Sequence, residues 1–214
     1  MNRRDEILQS LTPLVPVPRF EPLSSDPRAD GHRFLVAEDG LWVEVELPWL
    51  FARACIAPSA IALPFGTLAA QLRLKCGPLP KAELMRFIAL AREASPDEIA
   101  AILTWHRPSE AFTLRLVTLE SGTSHVNWER PPLAEGEYLV ADLHSHGRHP
   151  ARFSAQDDRD DFGEIKFSVV VGRCDTEAPE VAGRLCLLGL YLPTGPQLGL
   201  PPAVSEAMSE EGFE

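Results

Sequence analysis

Residues 138–146 constrain most strongly what this chain can fold into. Tyr138-Leu-Val-Ala is an apolar, strand-like run that leads straight into Asp142-Leu-His144-Ser-His146. Side chains two apart on an extended segment share a face. His144 and His146 can therefore aim their rings at one point, as a tetrahedral zinc requires of its nitrogen ligands. After a seven-residue gap comes Ser154-x-x-Asp157, in a polar stretch that reads as the first turn of a helix capped by Ser154. A carboxylate there can fold back towards the imidazoles as a third ligand. Three protein ligands leave one position for water, the pattern of a catalytic rather than a structural zinc site. A lone His-x-His is a weak signal and equally fits two hydrogen-bonded surface histidines. Serine and aspartate at fixed offsets across a strand-to-helix transition make it specific.

The rest of the chain divides at the proline-rich break Gly77-Pro-Leu-Pro80. Residues 1–78 read as a small β-rich module: a short helix, an extended arm, a hairpin over 32–47 turning at Asp39-Gly40, a helical turn at 49–54 and a strand near 72–76. From Pro80 the period becomes helical, with Leu84, Phe87, Ile88 and Ala91 on one face. Strands are expected over 98–105, 111–119, 125–128, 136–146, 165–171 and 184–191, with the acidic helix 154–162 between the fourth and the fifth. Residues 79–200 thus form an α/β domain, a mixed β-sheet flanked by helices. Residues 201–214 read as an acidic flexible tail.

A net charge of -11 opposes binding to nucleic acid or to an anionic membrane. No apolar run reaches the length of a membrane span, and the N-terminus lacks an apolar secretion segment. A cytoplasmic location is expected. Cys55, Cys76, Cys174 and Cys186 are scattered without a CxxC pair, the pattern of free thiols in a reducing compartment.

Hydrolysis of an amide also needs a base for the water and a proton for the leaving amine. Glu98 is the candidate for both, because it stands at the head of an apolar strand where burial raises a carboxyl pKa. A solvated glutamate at a helix-to-strand junction is the plain alternative, and Glu93, Glu110, Glu120 and Glu129 compete for the role. Asp142-x-His-x-His also resembles the opening motif of amidohydrolases, and His144-x-His-x-x-His149 resembles that of metallo-β-lactamases. Both need later ligands, and no histidine comes after His149.

As a set, Glu98, His144-Ser-His146 and Ser154-x-x-Asp157 resemble the signature of the JAMM (MPN, Mov34/PAD-1, prokaryotic JAB) zinc metalloproteases, over roughly residues 80–193. The resemblance implies a cytidine-deaminase-like fold, Zn2+ held by His144, His146 and Asp157, Glu98 activating water, and Ser154 steadying the oxyanion. It implies cleavage of a peptide or isopeptide bond at the C-terminus of a ubiquitin-like protein; the competing expectation is a scaffold that recognises such a partner without cutting it. With its N-terminal module the chain also resembles the A proteins of PRTRC cassettes, bacterial and often plasmid-borne sets. Those cassettes also encode ubiquitin-like and E1-like (ThiF-related) partners. The family usually has proline directly after the second histidine. Gly147 stands there instead and is expected to loosen the loop that positions Ser154 and Asp157.

Overall fold

The computed structural model describes residues 2–24 and 30–194, so the tail at 201–214 lies outside the described residues. The chain separates into two compact units, Met1–Cys76 and Gly77–Glu214. Among the described residues no helix is long and apolar enough to cross a membrane.

The first unit runs α1 (Arg3–Leu11), β1 (Leu14–Pro16), β2 (Gly31–Ala37), β3 (Gly40–Glu46), β4 (Leu50–Pro58) and β5 (Gln71–Leu74). Its strands form one sheet in chain order, antiparallel except for β1 on β2. Leu35, Ala37, Trp42 and Val17 make the core on one face. Farther along the strands, Glu44 is buried between Arg33 and Arg53, accepting from their Nε atoms at 2.7 and 2.8 Å. Of residues 49–54, expected as a helical turn, Leu50 to Ala54 begin β4 instead. Pro48 and Trp49 form a two-residue hairpin loop closed by the Leu47 N–H on the Leu50 carbonyl (2.8 Å). Beyond it Leu50, Ala52 and Ala54 are buried and Phe51 and Arg53 less so, which is strand periodicity.

The second unit runs α2 (Lys81–Ala94), β6 (Ala100–His106), β7 (Ala111–Leu116), β8 (Thr118–Gly122), β9 (His125–Trp128), β10 (Glu137–Ser145), α3 (Ala155–Asp161), β11 (Ile165–Gly172), β12 (Glu180–Leu187) and β13 (Leu190–Pro193). α2 buries Leu84, Phe87 and Ala91, the expected apolar face. A mixed six-stranded sheet has the order β13-β12-β11-β10-β6-β7, and β8 and β9 form a separate ribbon. Within this sheet β10 and β11 pair in parallel and the other described pairs are antiparallel; α3 lies in the crossover between β10 and β11.

Two expected strands are divided. The run 111–119 breaks at Val117, whose N–H donates to the Ala100 carbonyl (2.9 Å) before β8 leaves to pair with β9. The run 184–191 breaks at Leu188 and Gly189, with φ of 55° and 98°. Positive φ at both central residues gives the two-residue hairpin turn that suits right-twisted strands. Cys174 and Cys186 are buried, and burial pushes their thiols up to about 11 and about 12 respectively, so both are inert as nucleophiles.

Candidate metal centre

β10 has a parallel neighbour on one side and an antiparallel one, β6, on the other, so the sheet changes direction around it. Crevices at the carboxyl ends of such strands are where α/β folds hold ligands. His144 and His146 lie at that end of β10. Their Nε2 atoms are 3.1 Å apart. Asp157 Oδ1 is 3.2 Å from His144 Nε2, and Oδ2 is 4.0 Å from His146 Nε2. Zinc bonds of about 2.0–2.2 Å place tetrahedral ligand atoms roughly 3.3–3.6 Å from one another. The separations here bracket that range, and two nitrogens and a carboxylate are the donors zinc prefers, so the trio fits the ion.

Asp157 reaches this position because α3 starts where it does. Ser154 caps the helix: its Oγ accepts from the Asp157 N–H (3.2 Å), while its own N–H donates to Asp157 Oδ2 (2.6 Å). This reciprocal box leaves Oδ1 turned to His144. Burial works to raise the carboxyl, but the hydrogen bond and charge of His144 and the Ser154 donors outweigh it and hold Asp157 well below the ordinary carboxylate range. Burial, then the neighbouring His144, depress His146. A depressed imidazole is neutral and offers its lone pair, which a metal needs. The neighbouring acids turn elsewhere: Asp158 and Asp161 pair with Arg184, and Asp160 accepts from Gln156. Replacing Ser154 by alanine is expected to weaken α3 by about 1 kcal/mol. Faster amide exchange across 155–161 in the metal-free protein would show it, and unchanged exchange would dismiss the cap.

Glu98 comes to the same place from the other neighbour. β6 runs antiparallel to β10, so its start meets the end of β10, and Ala100 stands opposite His144. Opposed residues share a face, and Glu98, two residues before Ala100, extends along it. Its backbone is pinned on both sides, by Glu98 N–H to Gly122 O (2.9 Å) and Ser121 Oγ to Glu98 O (2.7 Å). The carboxyl is buried and lines a cleft of about 570 Å³ together with His144, His146, Ser154 and Asp157. None of Glu93, Glu110, Glu120 and Glu129 lines it. Burial raises the Glu98 carboxyl above its ordinary range, opposed by the charges of His144 and His149.

Sequence reasoning missed several contributors. Ser145, buried between the two histidines, accepts from the Ile99 N–H through Oγ and donates its N–H to the Ile99 carbonyl, both at 2.9 Å. It therefore ties the histidine strand to the segment carrying Glu98. His125 and Trp128 of β9 form a wall of the cleft, where Val126 and Trp128 pack on Ala100 and Ile102. His149 lines the cleft too, whereas Arg148 is exposed and 3.8 Å from Asp175.

The expectation that Gly147 loosens the loop is overturned. Its φ is 52°, and a Cβ there would lie 2.2 Å from the Pro96 carbonyl oxygen. The turn around it is closed by the His149 N–H on the His146 carbonyl, and the Gly147 carbonyl accepts from Cys174 N–H, each at 2.8 Å. Glycine here permits a tight approach of two segments and does not free the loop.

Two histidines at the end of a strand of a mixed sheet, a capped aspartate in the crossover and a glutamate from the antiparallel neighbour define a JAB-type domain. Residues 80–185 match the family described as prokaryotic homologs of the JAB domain, and residues 2–75 match a domain of unknown function, DUF2016. The chain therefore carries a prokaryotic JAB domain behind a DUF2016 domain, and the JAB family includes JAMM-type metalloproteases. No curated protein matches the chain. Among solved structures it is similar to the solution structure of protein DSY2949 from Desulfitobacterium hafniense, at 19% identity over 54% of this chain and 88% of that one, with a TM-score of 0.42.

Proposed function

We propose that this chain is a zinc-dependent hydrolase of the JAMM type, cutting a peptide or isopeptide bond at the C-terminus of a ubiquitin-like protein. The observation that carries the reading is the convergence of His144, His146 and Asp157 on one point, with Glu98 lining the same cleft. Those three residues would hold the zinc, which when bound supplies Lewis acidity and brings the pKa of its water towards neutrality. Glu98, buried and lining the same cleft as the trio, takes a proton from the attacking water and returns it to the leaving nitrogen. The Ser154 oxygen accepts from Asp157 N–H, which keeps the hydroxyl beside the metal ligands, and that hydroxyl is the donor assigned to the tetrahedral oxyanion.

The substrate reading comes from the resemblance to the JAMM metalloproteases. Ubiquitin-like proteins end in an extended, glycine-containing tail, which can lie beside a strand edge with small residues passing the metal. We assign recognition of the substrate's globular body to residues 1–78. The E1-like partner and the PRTRC cassette are the setting that the resemblance of the whole chain implies. The test is metal analysis of protein purified without chelator, followed by incubation with a ubiquitin-like protein extended past its terminal glycine. One zinc per chain and a product ending at that glycine, read by mass, are expected. Metal-free, well-folded protein that binds the substrate and leaves it whole would establish the scaffold instead.

A further inference from the structure

The helix that carries Asp157 is anchored by polar contacts, chiefly ion pairs. α3 has seven residues, Ala-Gln-Asp-Asp-Arg-Asp-Asp, and its one buried residue is Asp161. A helix this short does not persist unaided, and α3 has no apolar stripe to hold it to the sheet.

What it rests on is a row of cations. In register, Asp142 stands opposite Ser168 and Ser168 opposite Arg184, so Lys166 and Arg184 emerge on the same face as His144. Lys166 Nζ is buried and bridges Asp142 and Asp161, the latter at 2.9 Å. Arg184 donates to Asp161 Oδ2 through Nε (3.0 Å) and Nη2 (2.7 Å), and to Asp158 Oδ1 through Nη1 (2.5 Å). Its guanidinium lies 3.9 Å from the ring centre of Phe153 and 4.0 Å from that of Tyr191. The Tyr191 hydroxyl donates to the Asp158 carbonyl (2.6 Å). Phe153 directly precedes Ser154, and Asp158 directly succeeds Asp157. Arg184 therefore grips the Ser154-x-x-Asp157 segment at both ends.

We propose that Arg184, with Lys166 beside it, is a positioning residue for the metal centre: by gripping α3 it sets the distance from Asp157 to the two imidazoles, and with it the affinity for zinc. The proposal rests on the zinc reading above. Asp161 is one helical turn beyond Asp157 and on the same face, so a tilt of α3 moves Asp157 against His144. Metal bonds tolerate shifts of about 0.2 Å, far less than a released helix would make. Residues that orient metal ligands without touching the ion typically alter affinity by about 10–100-fold.

The experiment compares metal-free wild-type protein with Arg184→Gln, Arg184→Lys and Asp158→Ala, below the unfolding temperature of each. Zinc affinity is read by competition with a chromophoric chelator, and ligand geometry by the visible spectrum of the cobalt-loaded protein. Arg184→Gln is expected to weaken zinc at least about tenfold and to alter the cobalt spectrum. Arg184→Lys recovers part of the loss, because it keeps the charge and not the planar fork. Asp158→Ala, at an exposed position, shows a smaller loss in the same direction and decides alone if Arg184→Gln does not fold. Wild-type affinity and spectrum in both Arg184→Gln and Asp158→Ala would overturn the grip while leaving the metal reading intact. Wild-type protein that binds no zinc would overturn both.

Discussion

Glu98→Gln is expected to lower the rate of cleavage by about 10²–10⁴-fold, the usual contribution of a positioned proton-transfer group, while zinc content stays that of the wild type. The amide keeps the shape and the buried position of the carboxyl but takes up no proton. Because Glu98 is not among the three converging ligand residues, removing its charge leaves the His144, His146 and Asp157 donors in place. Asp157→Ala is the contrasting variant. It removes a ligand and half of the capping box on Ser154, so zinc and cleavage are expected to fall together. Single-turnover cleavage and metal content, measured on the same preparations, separate the two. Undiminished cleavage by Glu98→Gln would remove that residue from the chemistry, and loss of zinc from the same variant would make it a ligand. The backbone bonds that pin Glu98 to Gly122 and Ser121 belong to the β8 ribbon, so β8 and β10 must both be in place before the base faces the metal site.

The His-x-His strand and the capped aspartate were legible in the sequence because each rests on local geometry. A period of two puts two rings on one face, and a serine three residues before an acid closes a helix start. The position of Glu98 was less local. It needs the antiparallel register of β6 on β10, which no spacing reveals, since 46 residues separate Ile99 from Ser145. The charges around α3 were the least legible. Asp158, Asp160 and Asp161 are equivalent as letters, and only Lys166 and Arg184, brought up by later strands, distinguish the two that are anchored from the one in solvent. Lys166 sits in an otherwise apolar strand, an inconsistency visible in Ile165-Lys-Phe-Ser-Val, but its partners were not. The segment 49–54, a helical turn by its letters and a strand in the fold, shows the same limit. Pro48 ends one element in either reading, and only pairing with β3 and β5 makes residues 50–58 a strand.

Gly147→Pro, which restores the residue this family usually carries, is expected to destabilise the protein by more than about 2 kcal/mol and to weaken zinc binding by more than about tenfold. Proline fixes φ near −65°, and Gly147 stands at 52°. Even alanine would bring a Cβ within 2.2 Å of the Pro96 carbonyl oxygen, and backbone on both sides leaves no flexible end to yield. Relief therefore requires one of two movements. If the turn moves, His146 moves with it, because the turn is closed on the His146 carbonyl. If the Pro96 segment moves, Glu98, two residues on, leaves the cleft. Either way a substitution that touches no reacting group disturbs ligand and base together. Denaturation of the metal-free variant and zinc titration by chelator competition measure the two losses. A Gly147→Pro protein as stable as wild type, with undiminished zinc affinity, would mean that the turn at 146–149 has a second conformation compatible with proline, and that the contact with Pro96 is not what holds the histidines in place.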